Sequence, residues 1–494
     1  MSSPPLADRV GSSDHMTTPA QALARIWHTL GQPDEALSRV TLTGAEPALP
    51  SSFAVGTLAQ STIAAAALGV AHVDTLRTGR RQAVSVDMHH AALEFRSERY
   101  FRIDGQLPPE PWDKIAGLYR CGDGRWVRLH TNFPHHRDGV LRLLGCTHDR
   151  EAVAHALAGW QALAFEDAAA EAGLVASAAR TFDEWDRHPQ GVAVAGLPLV
   201  TLERIGDALP EPLPPHGQRG QGDEGDEGDE ERPLSGVRVL DLTRVIAGPV
   251  CGRTLAAHGA DVLLVTGPHL PSIPPLVIDT GRGKRSARLD LRDAADVDRL
   301  RALLGETDLF VQGYRPGGLA ALQFGPQQAA ALRPGIVYVS LSAYGHAGPW
   351  AGRRGFDSLV QTAAGFNWAE AEAAGETGPR PLPAQALDHA AGYLMAAGAM
   401  AALARRITEG GSWHVRVSLA QTAHWLRGLG RPSHGLDAAD PRYEDIGAWL
   451  ETAPSGFGAL TALRHAGQLS DTPPRWTLPA MPLGTHAATW PSLR

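Results

Sequence analysis

The stretch from Gly236 to Gly345 constrains this 494-residue chain more than any other. GVRVLDLTRVIAG opens with an apolar strand at Val237–Leu242, turns through Thr243–Gly248 and enters a helix; GADVLLVTGP then supplies a second strand. DVDRLRALLGETDLFVQGY reads as a helix followed by a strand, and LRPGIVYVSLSAYG as another strand with glycine at its exit. Strands that alternate with helices pair through crossovers, which gives βαβ units and a parallel sheet. The expected fold class is therefore α/β, a Rossmann-like parallel-sheet large domain. In such sheets ligands lie outside the carboxyl ends of the strands. Those ends, TRVIAGP, TGP, GYRPGG and SAYGHAGP, are the places to look for a site.

The N-terminal part has another character. Ala54–Thr78 is an Ala-rich helical stretch, AVSVDMHHAALEF continues it, and YRCGDGRWVRLH has the alternation and Asp-Gly turn of a hairpin. WQALAFEDAAAEAGLVAS and TFDEWDRHPQG follow with helical period. These features predict a helical segment over 1–99, a small α+β domain over 100–213, a large domain over 234–430 and a C-terminal tail over 431–494. The stretch 214–233, PPHGQRGQGDEGDEGDEERP, has no hydrophobic period and cannot bury enough surface to order itself, so a flexible acidic linker is expected.

That linker also explains the net charge of −8, because Asp223–Glu231 supplies three Asp and four Glu. No basic stripe follows a helix or strand, so a nucleic-acid partner is not implied. Cys121, Cys146 and Cys251 form no CxxC pair, which argues against a disulfide framework or a thiolate zinc site and suits a cytoplasmic setting. The polar N-terminus lacks a secretory apolar core, and no run is expected to reach the about 18 apolar residues that span a bilayer.

An internal repeat sharpens the reading. AVGTLAQSTIAAAALGVAHVDTLRTGRRQAVSVDMHHA and AQALDHAAGYLMAAGAMAALARRITEGGSWHVRVSLAQTA share a small-residue helix, a basic end, a glycine turn, a short strand-like run and another helix. A constant offset of 331 residues relates them, from Gly79 to Gly410, and places Asp388 on Thr57. Only the second copy carries the acid. Asp388 is then either an N-cap, a role Thr57 could fill equally, or a reactive carboxylate. At a helix start it would be held ionised by the orphan N–H groups and the helix dipole.

PLSGVRVLDLTRVIAGPVCGRTLAAHGADVLLV, GRGKRSARLDL, DLFVQGYRPGGL, PGIVYVSLSAYGHAGPW, RRGFDSLVQTAAGF and ALDHAAGYLMAAGAMAAL together resemble, in order and spacing, the large domain of the family III CoA-transferases. The N-terminal helix resembles that family's active-site helix region, the DGRWV hairpin and TFDEW segment resemble its small domain, and PRWTLPAMPLGTH resembles its C-terminal motif. The chain thus looks like a rearranged tandem form. The resemblance implies that Asp388 is the catalytic nucleophile and that the first copy, with Thr57, is inert. It implies coenzyme A as co-substrate, contacted by Arg244, Val245, Ile246, Ala247, Leu289, Arg292, Tyr314, Arg315 and Arg354. Leu264, Thr266 and Gly313 depart from the family's usual Lys, Glu and Asn.

By the same resemblance, Asp388 attacks an acyl-CoA thioester, passes through an anhydride and an aspartyl-CoA thioester, and delivers CoA to a carboxylic acid. Gly345 and Gly348 are candidate oxyanion donors. Two alternatives remain. An acyl-CoA racemase of the same fold would need a histidine where Phe356 stands in Gly355–Phe356–Asp357, and a non-catalytic CoA-binding scaffold would do no chemistry. His389 points about 100° away from Asp388 on the helix and reads as packed or solvated, not as a dyad partner. His89–His90 and His135–His136 lack a third ligand, so no metal is expected. A homodimer is expected, since family subunits interlock and this chain has the content of one.

Overall fold

The computed structural model describes residues 16–213 and 232–491. Seven strands, β1 (Thr201–Gly206), β2 (Arg238–Leu242), β3 (Asp261–Thr266), β4 (Lys284–Arg288), β5 (Leu309–Gln312), β6 (Val337–Ser342) and β7 (Ser412–Ser418), form one sheet in the order β4-β3-β2-β5-β6-β7-β1. All neighbours are parallel except β1, which pairs antiparallel with β7. β2 is buried at every position, as a central strand covered on both faces must be. From β2 the chain winds outward to β3 and β4, and from β5 it winds the other way to β6. The order reverses between β2 and β5, so the crevice at their carboxyl ends is the topological switch point. The α/β, Rossmann-like class read from the sequence is the fold observed.

Five helices matter for the site: α1 (Val55–Thr78), α2 (Pro134–Leu144), α3 (Ala247–Ala257), α4 (Asp357–Ala363) and α5 (Ala386–Glu409). The repeat is present in three dimensions. α1 and α5 each run for 24 residues and start 331 apart, and their N-cap residues match, Ala54 at φ −75°, ψ 61° and Gln385 at φ −77°, ψ 60°. The helices cross where Gly69 meets Met400, themselves 331 apart; a Cβ on Gly69 would lie 2.9 Å from the Met400 Cβ. Contact between equivalent positions puts the crossing on a local pseudo-two-fold axis. α5 also lies against α3, so close that a Cβ on Gly392 would come within 2.5 Å of the Ala247 carbonyl oxygen. Alanine and glycine dominate these helices because backbones must approach this closely.

α1 corrects one expectation. By length and a mean hydropathy of 1.2 over 18 residues it is apolar enough to cross a membrane, but 94% of that window is buried, chiefly against α5 and the rest of the core. The run was missed because Thr, Ser, Gln, His and Asp interrupt it; inside the protein these polar side chains find backbone partners, as Thr62 does on the Leu58 carbonyl and Gln60 on those of Thr43 and Val86.

The small subdomain has its own core of Ile115, Tyr119, Val127, Val140, Leu157 and Phe165. Its antiparallel sheet joins Gly117–Arg120, Trp126–Leu129 and Ala176–Ala178, the first two being the hairpin read from YRCGDGRWVRLH. The boundary at 213 needs correction, because β1 belongs to the large sheet. The composition shift at residue 214 marks where apolar periodicity stops, not where one core gives way to another. The tail over 431–494 likewise does more than pack on the large domain: Gly458–Leu463 pairs with Arg102–Ile103, and Gln468–Leu469 pairs with Val84–Asp87 of the N-terminal segment. The expected linker at 214–233 lies outside the described residues apart from Arg232 and Pro233. Cys121, Cys146 and Cys251 are free thiols.

Candidate active site

A cleft of about 340 Å³ opens at the switch point. Its walls are the turn Arg244–Ala247 after β2, Gly313–Pro316 after β5, Leu341–Ala343 at the end of β6, Arg353–Phe356 before α4, and Phe133, His135 and His136 from the small subdomain. Asp388 reaches it from the first turn of α5. Two further lobes continue the cleft, one past Thr266, Ser272 and Leu276, the other past Gly267, Leu289 and Leu319. Three of the four strand ends singled out in the sequence thus line the main cleft, and the fourth, Thr266–Gly267, lines the adjoining lobe. Val245 sits at φ 76°, a left-handed conformation costly for a β-branched residue. The turn that carries it is held from behind, where Lys284 Nζ donates to Asp241 Oδ2 at 2.9 Å and to the Pro249 carbonyl at 2.8 Å.

Asp388 is not the N-cap. Gln385 holds that position without a side-chain cap, and Asp388 is the third residue of α5. The helix end is capped instead by Asp357, whose Oδ2 accepts the backbone N–H of Leu387 at 2.8 Å and of Asp388 at 2.9 Å. This corrects both the capping reading and the expectation of a carboxylate held ionised by the helix start, because the N–H groups that would stabilise the charge are already taken. Asp388 is 6% exposed. Burial, then the charges of Asp357 and Glu98, push its carboxyl well above the ordinary range. Asp357 is raised by burial to about 6, with its hydrogen bonds from Asp388, Gln361 and Leu387 acting the other way. Two buried carboxyls this closely linked titrate as a pair.

His389 is packed, as read from the sequence: its ring stacks on Phe95 at 5.5 Å and its Nε2 lies 3.2 Å from Glu98 Oε2. Burial opposes ionisation of Glu98, but that histidine, together with Arg99 and a backbone hydrogen bond, brings it below its usual value. The other copy is built alike and closed. Glu46 there takes the capping place, accepting the Thr57 N–H at 2.6 Å. Ala48, Glu46 and Met88 fill the space beside Gly56, and Thr57 is fully buried.

Of the remaining expected residues, Arg244, Val245, Ile246, Ala247, Tyr314, Arg315 and Arg354 line the cleft together. Arg244 lies over the Phe133 ring at 4.8 Å and donates to the Pro271 carbonyl; burial lowers its pKa. Arg354 donates to the Gly173 carbonyl at 3.1 Å and is exposed. Leu289 is a core residue of β4's exit that reaches only the adjoining lobe. Arg292 is not brought to the site: it folds back on Asp290 at 2.6 Å with its side chain 66% exposed. Asp290, two positions earlier, offers a carboxylate at hydrogen-bond distance. Gly345 and Gly348 do not line the cleft either, since Gln190 holds their loop through the Tyr344 and Ala347 carbonyls. Among the described residues no group of three His, Cys, Asp or Glu is placed to hold a metal ion.

Three residues escaped sequence reasoning as parts of the site. Asp357 lies 31 positions before Asp388 and was noted only for the phenylalanine preceding it. Phe133 and His136 come from a different subdomain, and no spacing rule links HTNFPHHR to the helix at 386. The assembled cleft has an apolar lining, four arginines and the N-terminus of α3, all suited to an elongated anion, together with a buried carboxyl.

A model of the CoA-transferase family III matches residues 234–442. The chain is similar to an acyl-CoA transferase of Gibberella moniliformis, 29% identical over 429 residues that cover 78% of this chain and 73% of that protein. It is 33% identical over 253 residues to a probable fatty acyl-CoA transferase of Mycobacterium tuberculosis, covering 49% of this chain and 64% of the relative. A human succinyl-CoA:glutarate CoA-transferase matches at 33% identity over 147 residues, 34% of its length. The chain therefore spans between about a third and three quarters of these relatives. The orthorhombic crystal structure of the Mycobacterium tuberculosis protein aligns at 31% identity over 40% of this chain and 57% of that one, with a TM-score of 0.37.

Proposed function

We propose that the chain, whose residues 234–442 match the family III CoA-transferase model, acts as such an enzyme and moves coenzyme A from an acyl-CoA to a carboxylic acid with Asp388 as nucleophile. The observation that carries this reading is a buried carboxyl opening into a cleft whose rim presents Arg244, Arg315, Arg354 and a helix N-terminus. The guanidinium groups and the α3 N–H groups suit the phosphates of CoA, and the apolar lining suits its pantetheine arm. The Asp388 carboxylate attacks the thioester carbonyl and expels the CoA thiolate, leaving an aspartyl-acyl anhydride. The thiolate then attacks the aspartyl carbonyl, which releases the donor acid and forms an aspartyl-CoA thioester. An acceptor carboxylate attacks that thioester, expelling the thiolate and forming a second anhydride, and the thiolate attacks the acceptor's carbonyl to give the new acyl-CoA and free the Asp388 carboxylate. Each step replaces one difficult exchange by easier covalent ones. A carboxyl with a raised pKa is a stronger nucleophile once ionised, at the cost of a smaller ionised fraction.

Racemisation would need a proton carrier at Phe356, and a phenyl ring stacked on His130 at 3.8 Å is none. A scaffold would gain nothing from a buried carboxyl flanked by two more, which costs stability unless it is used. The test is trapping: incubation with a series of acyl-CoA donors, followed by hydroxylamine, should leave a hydroxamate at Asp388 and not at Asp357, read by peptide mass. No adduct at Asp388 with donors that the protein demonstrably turns over would remove the reading.

The proposal extends to a homodimer in a cytoplasmic setting. Light scattering at micromolar concentration should give twice the 52.4 kDa of one chain, and a single-chain mass would remove that part. The cleft residues described all come from one chain.

A further inference from the structure

The cleft wall contributed by the small subdomain contains a buried histidine without a partner. His136 stands in the first turn of α2, lines the cleft and is 4% exposed. Neither its Nδ1 nor its Nε2 has a hydrogen-bond partner among the described residues. The ring is boxed in edge-on by Phe133 at 6.0 Å and Phe356 at 6.2 Å, with His135 at 4.1 Å. Buried polar groups in folded proteins are nearly always satisfied, and packing alone would be served as well by leucine or phenylalanine. The site therefore holds a hydrogen-bonding group whose complement is missing. Burial and the cations around it push its pKa down to about 3, so the ring is a neutral imidazole with one donor and one acceptor. Arg354 and Arg244 are the standing cations nearby, since burial and the same arginines lower the pKa of His135 as well, and their field favours an oxygen acceptor as the group that comes to the ring N–H.

We propose that His136 hydrogen-bonds an oxygen substituent on the transferred acyl chain, a hydroxyl, keto or second carboxyl group beyond the thioester carbonyl, and so selects such acids over plain hydrocarbon ones. The inference rests on Asp388 as nucleophile, since that assignment brings the acyl group into the cleft that Asp388 and His136 both line. Both ring nitrogens are turned away from the cleft's solvent, so the imidazole has to rotate as the acyl chain enters.

The experiment compares transfer to matched straight-chain acids, one unsubstituted and the others bearing a hydroxyl, keto or terminal carboxyl group. At least one substituted acid should exceed the plain acid in kcat/KM by about 10-fold or more, because a site built to bond an oxygen rejects the analogue lacking it. His136→Leu should abolish that difference, mainly through KM for the substituted acid. His136→Gln, which keeps a donor and an acceptor, should retain part of it and serves if the leucine variant fails to fold. Equal use of all the acids by the unmodified protein, or selectivity that survives both substitutions, overturns the proposal. A second readout does not depend on turnover. In Asp388→Asn protein, histidine-selective NMR should show the His136 ring signals moving with the substituted CoA thioester and not with the plain one. Unmoved signals overturn the proposal, whereas transfer persisting in the Asp388→Asn protein overturns the nucleophile and leaves the NMR result to decide the role of His136.

Discussion

Asp388→Asn lowers the transfer rate by about 1,000-fold or more, the loss expected when a covalent nucleophile becomes an amide that cannot form the anhydride. The fold survives. The backbone N–H of residue 388 still donates to Asp357 at 2.9 Å, since that bond does not involve the side chain. A neutral amide also replaces a buried carboxyl whose ionisation is opposed by burial and by the charges of Asp357 and Glu98, so stability at neutral pH should not fall. The control is Thr57→Ala in the other copy. Thr57 Oγ1 has no hydrogen-bond partner among the described residues and the space around it is filled, so the rate should stay within about two-fold. Chromatographic assay of the CoA thioesters reads both. Full transfer by the asparagine variant would return Asp388 to a structural role, and a large loss in the threonine variant would mean that the copies act together.

The sheet and the repeat were legible because both are written in local period. Apolar runs alternating with helical stretches specify β2, β3, β5 and β6, whereas β4, Lys284–Arg288, has no apolar run to mark it; the offset of 331 aligned α1 with α5 residue for residue before their contact was visible. The strand ends followed from the sheet, because in a parallel α/β sheet the crevice always lies at the carboxyl side. Other features were not written locally. β1 is an edge strand of six residues, separated from β2 by a stretch with no apolar period, and only its pairing with β7 shows that it belongs to the large sheet. Arg292 has the residue type for phosphate, but a carboxylate two positions away claims it. The charge state of Asp388 was misread for a related reason. A helix start offers N–H groups, yet which acid receives them depends on a residue 31 positions earlier in the chain. Residue type and spacing reveal what a side chain can do; the partner that arrives first decides what it does.

Asp357 is the strongest case, and two substitutions separate its two roles. Asp357→Leu removes the acceptor for the Leu387 and Asp388 N–H groups and leaves both buried without a partner. At about 1–3 kcal/mol for each stranded donor, a loss of about 2–6 kcal/mol is expected in urea unfolding. Asp357→Asn keeps an oxygen for those donors, but its amide meets the Gln361 Nε2 that now donates to Asp357, so a smaller loss of about 1 kcal/mol is expected. Its main effect is on ionisation. Burial is the largest cause of the raised Asp388 pKa and Asp357 the next, so removing the second charge moves the acid limb of kcat/KM to lower pH while burial and Glu98 keep it above the ordinary carboxylate range. The same residue leaves a mark on stability. Its pKa in the fold, about 6, exceeds the 3.8 of an unperturbed Asp, so between those values the folded chain binds more protons than the unfolded one and stability falls as pH rises. The asparagine variant should lack that part of the decline. An acid limb that stays in place in Asp357→Asn would separate Asp357 from the ionisation of Asp388 and confine it to holding the start of α5.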